Sequence, residues 1–129
     1  MTVPFETLAA VDLGSNSFRL QIVRVTEGGL FPIDSLKDTV RLGAGLLPNG
    51  NLDDAVAARA LACLARFGER LRGFKPDRVR VVGTNTLRVA NHAEAFIAQA
   101  EALLGFPIEI IAGREEARLI YLGAAHSLP

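Results

Sequence analysis

The feature that most constrains this chain is a polar turn set between two apolar runs. Leu8, Ala9, Ala10 and Val11 precede Asp12-Leu13-Gly14-Ser15-Asn16-Ser17, and Phe18, Leu20, Ile22, Val23 and Val25 follow it. That pattern reads as strand, tight turn, strand. Within it lie an acid, a glycine, two hydroxyls and an amide. Closing a hairpin calls for Gly, Asn and Asp on backbone grounds alone. The same residues can also cradle an oxyanion. Gly14 at positive φ would aim main-chain N–H groups at one acceptor, and Ser15, Asn16 and Ser17 would add side-chain donors. Asp12 repels a phosphate unless a cation bridges the two, so Mg²⁺ held through Asp12 completes that reading.

The rest of the chain follows in an order that limits the topology. Residues 7–13 and 17–25 form strands; in the second, Phe18, Leu20 and Ile22 alternate with Arg19, Gln21 and Val23. Glu27-Gly28-Gly29 turns the chain into a third strand over 30–40. A glycine-rich loop, Leu42 to Gly50, leads to a helix capped by Asn51, with Asp53 and Asp54 in its first turn. Its apolar stripe is Ala57, Leu61, Leu64, Gly68 and Leu71, and Gly73 and Pro76 end it. Residues 78–82 are a strand, 83–88 enter a helical region, and a helix covers about 92–104. Residues 108–111 form a last strand, and a last helix runs from Arg114 to about Ala125. The order β-β-β-α-β-α-β-α predicts an α/β domain with a mixed five-stranded sheet, because strand–helix–strand crossovers pair strands in parallel.

Composition excludes several classes. Fourteen basic and fourteen acidic residues cancel, so net charge gives no case for nucleic acid or a membrane surface. Arg59, Arg66, Arg70 and Arg72 read as a solvated helix face rather than a nucleic-acid patch. No apolar run approaches the ~20 residues that span a bilayer. The one cysteine, Cys63, falls in an apolar helical pattern and reads as a core residue in a reducing, cytoplasmic compartment.

Three segments leave strands and carry small polar residues: 12–17, 83–88 and 112–116. In open α/β sheets such segments converge at the carboxyl ends of the strands. Gly83 allows close approach, Thr84 can cap a short helix, and Asn85, Thr86 and Arg88 follow; Arg88 can grip phosphate bidentately. A plain helix cap with a solvated arginine explains this segment equally. Glu115 has Arg118 at i+3, a surface ion pair. Glu116 shares a face with Leu119 and Ile120, where a partly desolvated carboxylate can act as a general base. The helix dipole favours acids at that position too and pulls the pKa the other way.

Taken together, Ala10-Val11-Asp12-Leu13-Gly14-Ser15-Asn16-Ser17-Phe18, Gly83-Thr84-Asn85-Thr86-Leu87-Arg88 and Ile110 to Gly123 resemble the exopolyphosphatase/guanosine pentaphosphate phosphohydrolase (Ppx/GppA) family, in order and in spacing. The resemblance implies a ribonuclease H-like domain of the actin/sugar-kinase/Hsp70-like superfamily. It implies Mg²⁺-dependent hydrolysis of inorganic polyphosphate or of pppGpp. Asp12 then resembles the metal-associated acid, Gly14 to Ser17 the first phosphate turn, Gly83 to Arg88 a second phosphate segment, and Glu116 the general base. Members of the family continue into a second domain that opens on a DxGGGS-type turn. Residues 1–129 are therefore expected to be a single N-terminal domain carrying half a site, inactive alone and needing the C-terminal domain as partner. A binding module without turnover, self-associating as a homodimer through its open cleft wall, is one alternative. A sugar- or carboxylate-kinase-like domain is another.

Overall fold

In a computed structural model, the structure describes residues 6–84 and 86–111. The last expected helix, and with it Glu115 and Glu116, lies outside the described residues, as does Asn85. Five strands form one sheet: β1 (Glu6–Leu13), β2 (Phe18–Thr26), β3 (Gly29–Asp38), β4 (Val79–Thr84) and β5 (Glu109–Ile111). The strand order is β3-β2-β1-β4-β5. β2 runs antiparallel to both its neighbours, whereas β1, β4 and β5 pair in parallel. This is the mixed five-stranded sheet that the element order predicts, and it agrees with the ribonuclease H-like domain that the resemblance implies. The helices are α1 (Asp54–Leu71), the four-residue α2 (Thr86–Val89) and α3 (Ala93–Leu104).

Side-chain alternation sorts the two faces of the sheet. Val11, Leu13, Phe18, Leu20, Ile22 and Val81 pack into one core with Ala60, Cys63, Leu64, Phe67 and Leu71 of α1 and with Ala100 and Leu104 of α3. Phe18 is wholly buried there, a burial worth roughly 1.5–3 kcal/mol. Alternation sends Leu8, Asp12, Val23, Val82 and Thr84 to the opposite face. There Leu8 and Val23 form a small separate cluster with Val25.

The buried stripe of α1 differs from the one read from spacing. Leu64 and Leu71 belong to it, but its centre is Ala60, Cys63 and Phe67, while Ala57, Leu61 and Gly68 are half-buried at its margin. The helix must face the sheet and α3 together, which widens and rotates the apolar arc. Gly68 lies against α3: a Cβ there would sit 2.1 Å from the Leu103 carbonyl oxygen. The cap is also displaced. Asp53, not Asn51, accepts from the Val56 N–H, at 3.2 Å. Leu52 forms an antiparallel bridge with Leu46, which keeps the chain extended until Asp53.

The arginine face of α1 is not simply solvated. Arg59 and Arg66 both reach Asp38, and Arg70 reaches Asp34, so the helix is pinned across β3. These side chains remain largely exposed, and such pairs fix the position of α1 more than they stabilise the fold. β3 is an edge strand, carrying Pro32 and a bulge opposite Ile22/Val23. Both features blunt an edge that shows Leu30, Phe31 and Ile33 to solvent. Cys63 is buried as read, and burial, reinforced by nearby Asp38, raises its thiol pKa to about 11.

Two outcomes follow from this packing. Gly68→Ala should lower stability by about 1–3 kcal/mol in denaturant unfolding, because backbone cannot yield as a side chain does. Alanine's better helix propensity, worth about 1 kcal/mol, works against that loss, and a net gain in stability would show that α1 and α3 are not this close. Cys63 should resist maleimide at pH 8 in the native state and react once unfolded. Burial blocks access, and the raised pKa keeps the group as thiol until the pH approaches 11.

Candidate active site

Strand register builds this end of the molecule. Leu13, the last residue of β1, lies opposite Gly83 in β4, and Thr84 lies opposite Ile111, the last residue of β5. The chain therefore leaves β1, β4 and β5 side by side. The 12–17 and 83–88 segments, far apart in sequence, are brought together, and the chain leading to Glu115 and Glu116 departs from the same edge.

The first turn is braced from outside. The Gly14 N–H closes it by donating to the Ser17 carbonyl at 3.0 Å. The Ser15 and Asn16 carbonyls accept from the Gly43 and Arg41 N–H groups, each at 2.8 Å. Among the described residues, the N–H groups of Ser15, Asn16 and Ser17 donate no hydrogen bond. Ser15 and Asn16 are exposed. A turn whose carbonyls are held by a loop and whose successive N–H groups are uncommitted is suited to an anion. Gly14 contributes differently from the sequence reading. Its φ is not positive, and a Cβ would meet the Ser17 carbonyl oxygen at 3.0 Å. Glycine is needed there for tightness, and its own N–H serves the turn rather than a ligand.

On the face opposite α1 and α3, two side-chain oxygens lie near the ends of β1 and β4. Asp12 Oδ1 and Thr84 Oγ1 are both buried. Thr84 Oγ1 has no hydrogen-bond partner among the described residues, so Thr84 ends a strand and does not cap a helix. A buried hydroxyl left in that state costs about 1–3 kcal/mol, which marks a place where a ligand can supply the missing bond.

The second segment separates into two directions. Gly83 is buried, and a Cβ on it would lie 2.3 Å from Leu87 Cδ1. The space that sequence reading gave to a ligand is filled by Leu87. Thr86 lines a cavity of about 370 Å³ with Leu42, Leu52, Leu87, Asn91 and Phe96, on the helical side of the sheet. It is thus not grouped with Asp12 and Thr84. Arg88 is exposed at the end of α2. At four residues α2 has little dipole to offer an anion.

The described residues do not by themselves enclose a metal ion. No group of three or more His, Cys, Asp or Glu able to hold an ion occurs among the described residues. That set does not provide an all-protein cage. Asp12 alone fits Mg²⁺, which is commonly held by one or two carboxylates, water and substrate phosphate.

Arginines divide by location. Arg59, Arg66, Arg70, Arg72, Arg78 and Arg80 each pair with a carboxylate. Arg19, Arg41 and Arg88 make no ion pair among the described residues, and all three are exposed. Arg19 is the second residue of β2, just past the first turn, and Arg41 is hydrogen-bonded to that turn through its backbone. Sequence reasoning identified only Arg88. Nothing in the spacing of Arg41 signals that its loop docks on residues 15 and 16.

The model of the Ppx/GppA phosphatase family matches residues 21–129, and the chain belongs to that family. Solved structures agree. The Aquifex aeolicus Ppx/GppA family member is 30% identical with a TM-score of 0.79, covering 97% of this chain and 41% of its own. An exopolyphosphatase from Cytophaga hutchinsonii is 26% identical with a TM-score of 0.75, covering 96% and 40%. An exopolyphosphatase-like protein is 31% identical with a TM-score of 0.76, covering 98% and 38%. The chain thus spans about two-fifths of the length of these relatives.

Thr84→Val separates a ligand-facing hydroxyl from a structural one. The variant should keep or raise the melting temperature, because it removes an orphaned polar atom while conserving shape. A ligand-facing hydroxyl also requires the variant, in the full-length protein, to weaken tripolyphosphate binding several-fold by calorimetry. A fall in stability with unchanged binding would assign the hydroxyl to the fold.

Proposed function

We propose that this chain forms one wall of a phosphohydrolase site that releases the terminal phosphate of inorganic polyphosphate or the 5′-phosphate of pppGpp. The observation that carries the reading is the braced turn 14–17, in which the N–H groups of Ser15, Asn16 and Ser17 are uncommitted among the described residues, set beside the buried oxygens of Asp12 and Thr84. Family membership supplies the reaction class.

The terminal phosphoryl group rests on the N–H groups and side chains of Ser15, Asn16 and Ser17, with Thr84, Asn85 and Arg88 of the second segment as further contacts. Glu116 takes a proton from water as the water oxygen bonds to phosphorus. The bond from phosphorus to the bridging oxygen breaks, and the shortened anion leaves. Glu115 is the second choice for the base. Asp12 is the residue that would hold Mg²⁺, which would supply charge neutralisation for the transferred group when bound. Catalysis of this type rests on positioning and charge stabilisation from both sides of the phosphate. The opposing wall comes from a second domain of the kind that the greater length of the relatives accommodates. Residues 1–129 alone therefore bind phosphate compounds weakly and turn over little.

The experiment is phosphate release from polyphosphate and from pppGpp, measured for the full-length enzyme, for residues 1–129, and for Glu116→Ala and Glu115→Ala in the full-length enzyme. Glu116→Ala should lose activity by orders of magnitude and Glu115→Ala much less, with residues 1–129 near background. Reversal of the two variants would exchange their roles. Full activity of residues 1–129 would sink the two-wall reading.

A further inference from the structure

We infer that Arg41 is a substrate-contacting residue that grips the phosphate next to the terminal one; the inference rests on the phosphohydrolase reading of the adjacent turn. The reason begins with its backbone. Arg41 has a φ of 57°, one of two non-glycine residues in the left-handed region among those described. Glycine or asparagine occupies that region at lower cost than a long side chain. The conformation is held from both sides of the residue: the Arg41 N–H donates to the Asn16 carbonyl at 2.8 Å, and its own carbonyl accepts from the Gly45 N–H at 3.2 Å. Strain kept in place in this way points to function.

Among the described residues no ion pair or side-chain hydrogen bond of Arg41 offsets this strain. The side chain is exposed and makes no ion pair among the described residues, unlike the six arginines paired elsewhere. Its backbone is fixed to Asn16, whose own N–H is uncommitted. A guanidinium anchored there is a fork for phosphate oxygens at the rim of the cradle. Ser15 to Ser17 hold the terminal group, so a cation carried on a backbone fixed just outside the turn has the next phosphate within reach. Arg41 thus favours compounds with linked phosphates over a single phosphate.

The test measures binding of tripolyphosphate and of inorganic phosphate to the full-length protein, with kinetics on polyphosphate alongside. Arg41→Gly removes the cation and relaxes the backbone. Arg41→Asn, also at ease in the left-handed region, repeats the measurement should glycine loosen the loop. Both should weaken tripolyphosphate binding about tenfold and raise KM for polyphosphate similarly, with the melting temperature kept or raised and inorganic phosphate binding almost unmoved. Arg72→Ala, removing an arginine paired within α1's end, should change neither affinity. Unchanged tripolyphosphate binding in both Arg41 variants overturns the inference, and so does an equal loss for both ligands. A wild-type protein that binds tripolyphosphate without releasing phosphate counts against the hydrolase reading and leaves the Arg41 comparison standing.

Discussion

The parallel pairing of β1 with β4 is the constraint on which the remaining structure depends. A parallel ladder needs a long crossover, and here the crossover contains α1, which covers the core face of the sheet. Because Leu13 meets Gly83 across that ladder, the two polar exits end at one edge. A shift of one residue would turn Asp12 and Thr84 toward α1 and α3, where a carboxylate has no solvent and no partner. The hydrophobic alternation of Val11, Leu13 and Val81 against the helices therefore also fixes which face carries the polar oxygens.

A second layer of control comes from the loop between β3 and α1. Its backbone bonds to Ser15 and Asn16 at one end and, through Gly50 and Asn49, to Asn91 at the other. Asn91 also bonds Asn51, whose side chain is thereby occupied and does not cap α1. The loop is a brace joining the turn after β1 to the start of α3. Its rigidity comes from hydrogen bonds rather than from regular structure, which is why glycine-rich composition alone reads as irregular.

Much of the sheet was legible because alternation and turn residues are local signals. Phe18, Leu20 and Ile22 are buried on one face as their spacing implies, and Glu27-Gly28 closes the β2–β3 hairpin. The α1 stripe was legible only in part, since the helix faces two neighbours and spacing describes one arc. Its arginines read as solvated because their partners, Asp34 and Asp38, come from β3. In the site, residue types were legible and their tasks were not. Gly83 makes room for Leu87, Gly14 tightens its turn, and Thr86 lines the helical side.

By itself the sequence determined the order of strands and helices as far as β5, the polar exits after β1 and β4, and the family to which they belong. Those depend on periodicity, turn chemistry and short motifs, all of which act within a few residues. Only the tertiary structure decided that the loop from Arg41 to Gly45 braces the first turn and leaves its N–H groups uncommitted. It alone placed the oxygens of Asp12 and Thr84 on one buried face and held Arg41 in a left-handed conformation. Each of these is a contact between segments distant in the chain, and no local pattern encodes such a contact until the sheet register and the packing of α1 have fixed it.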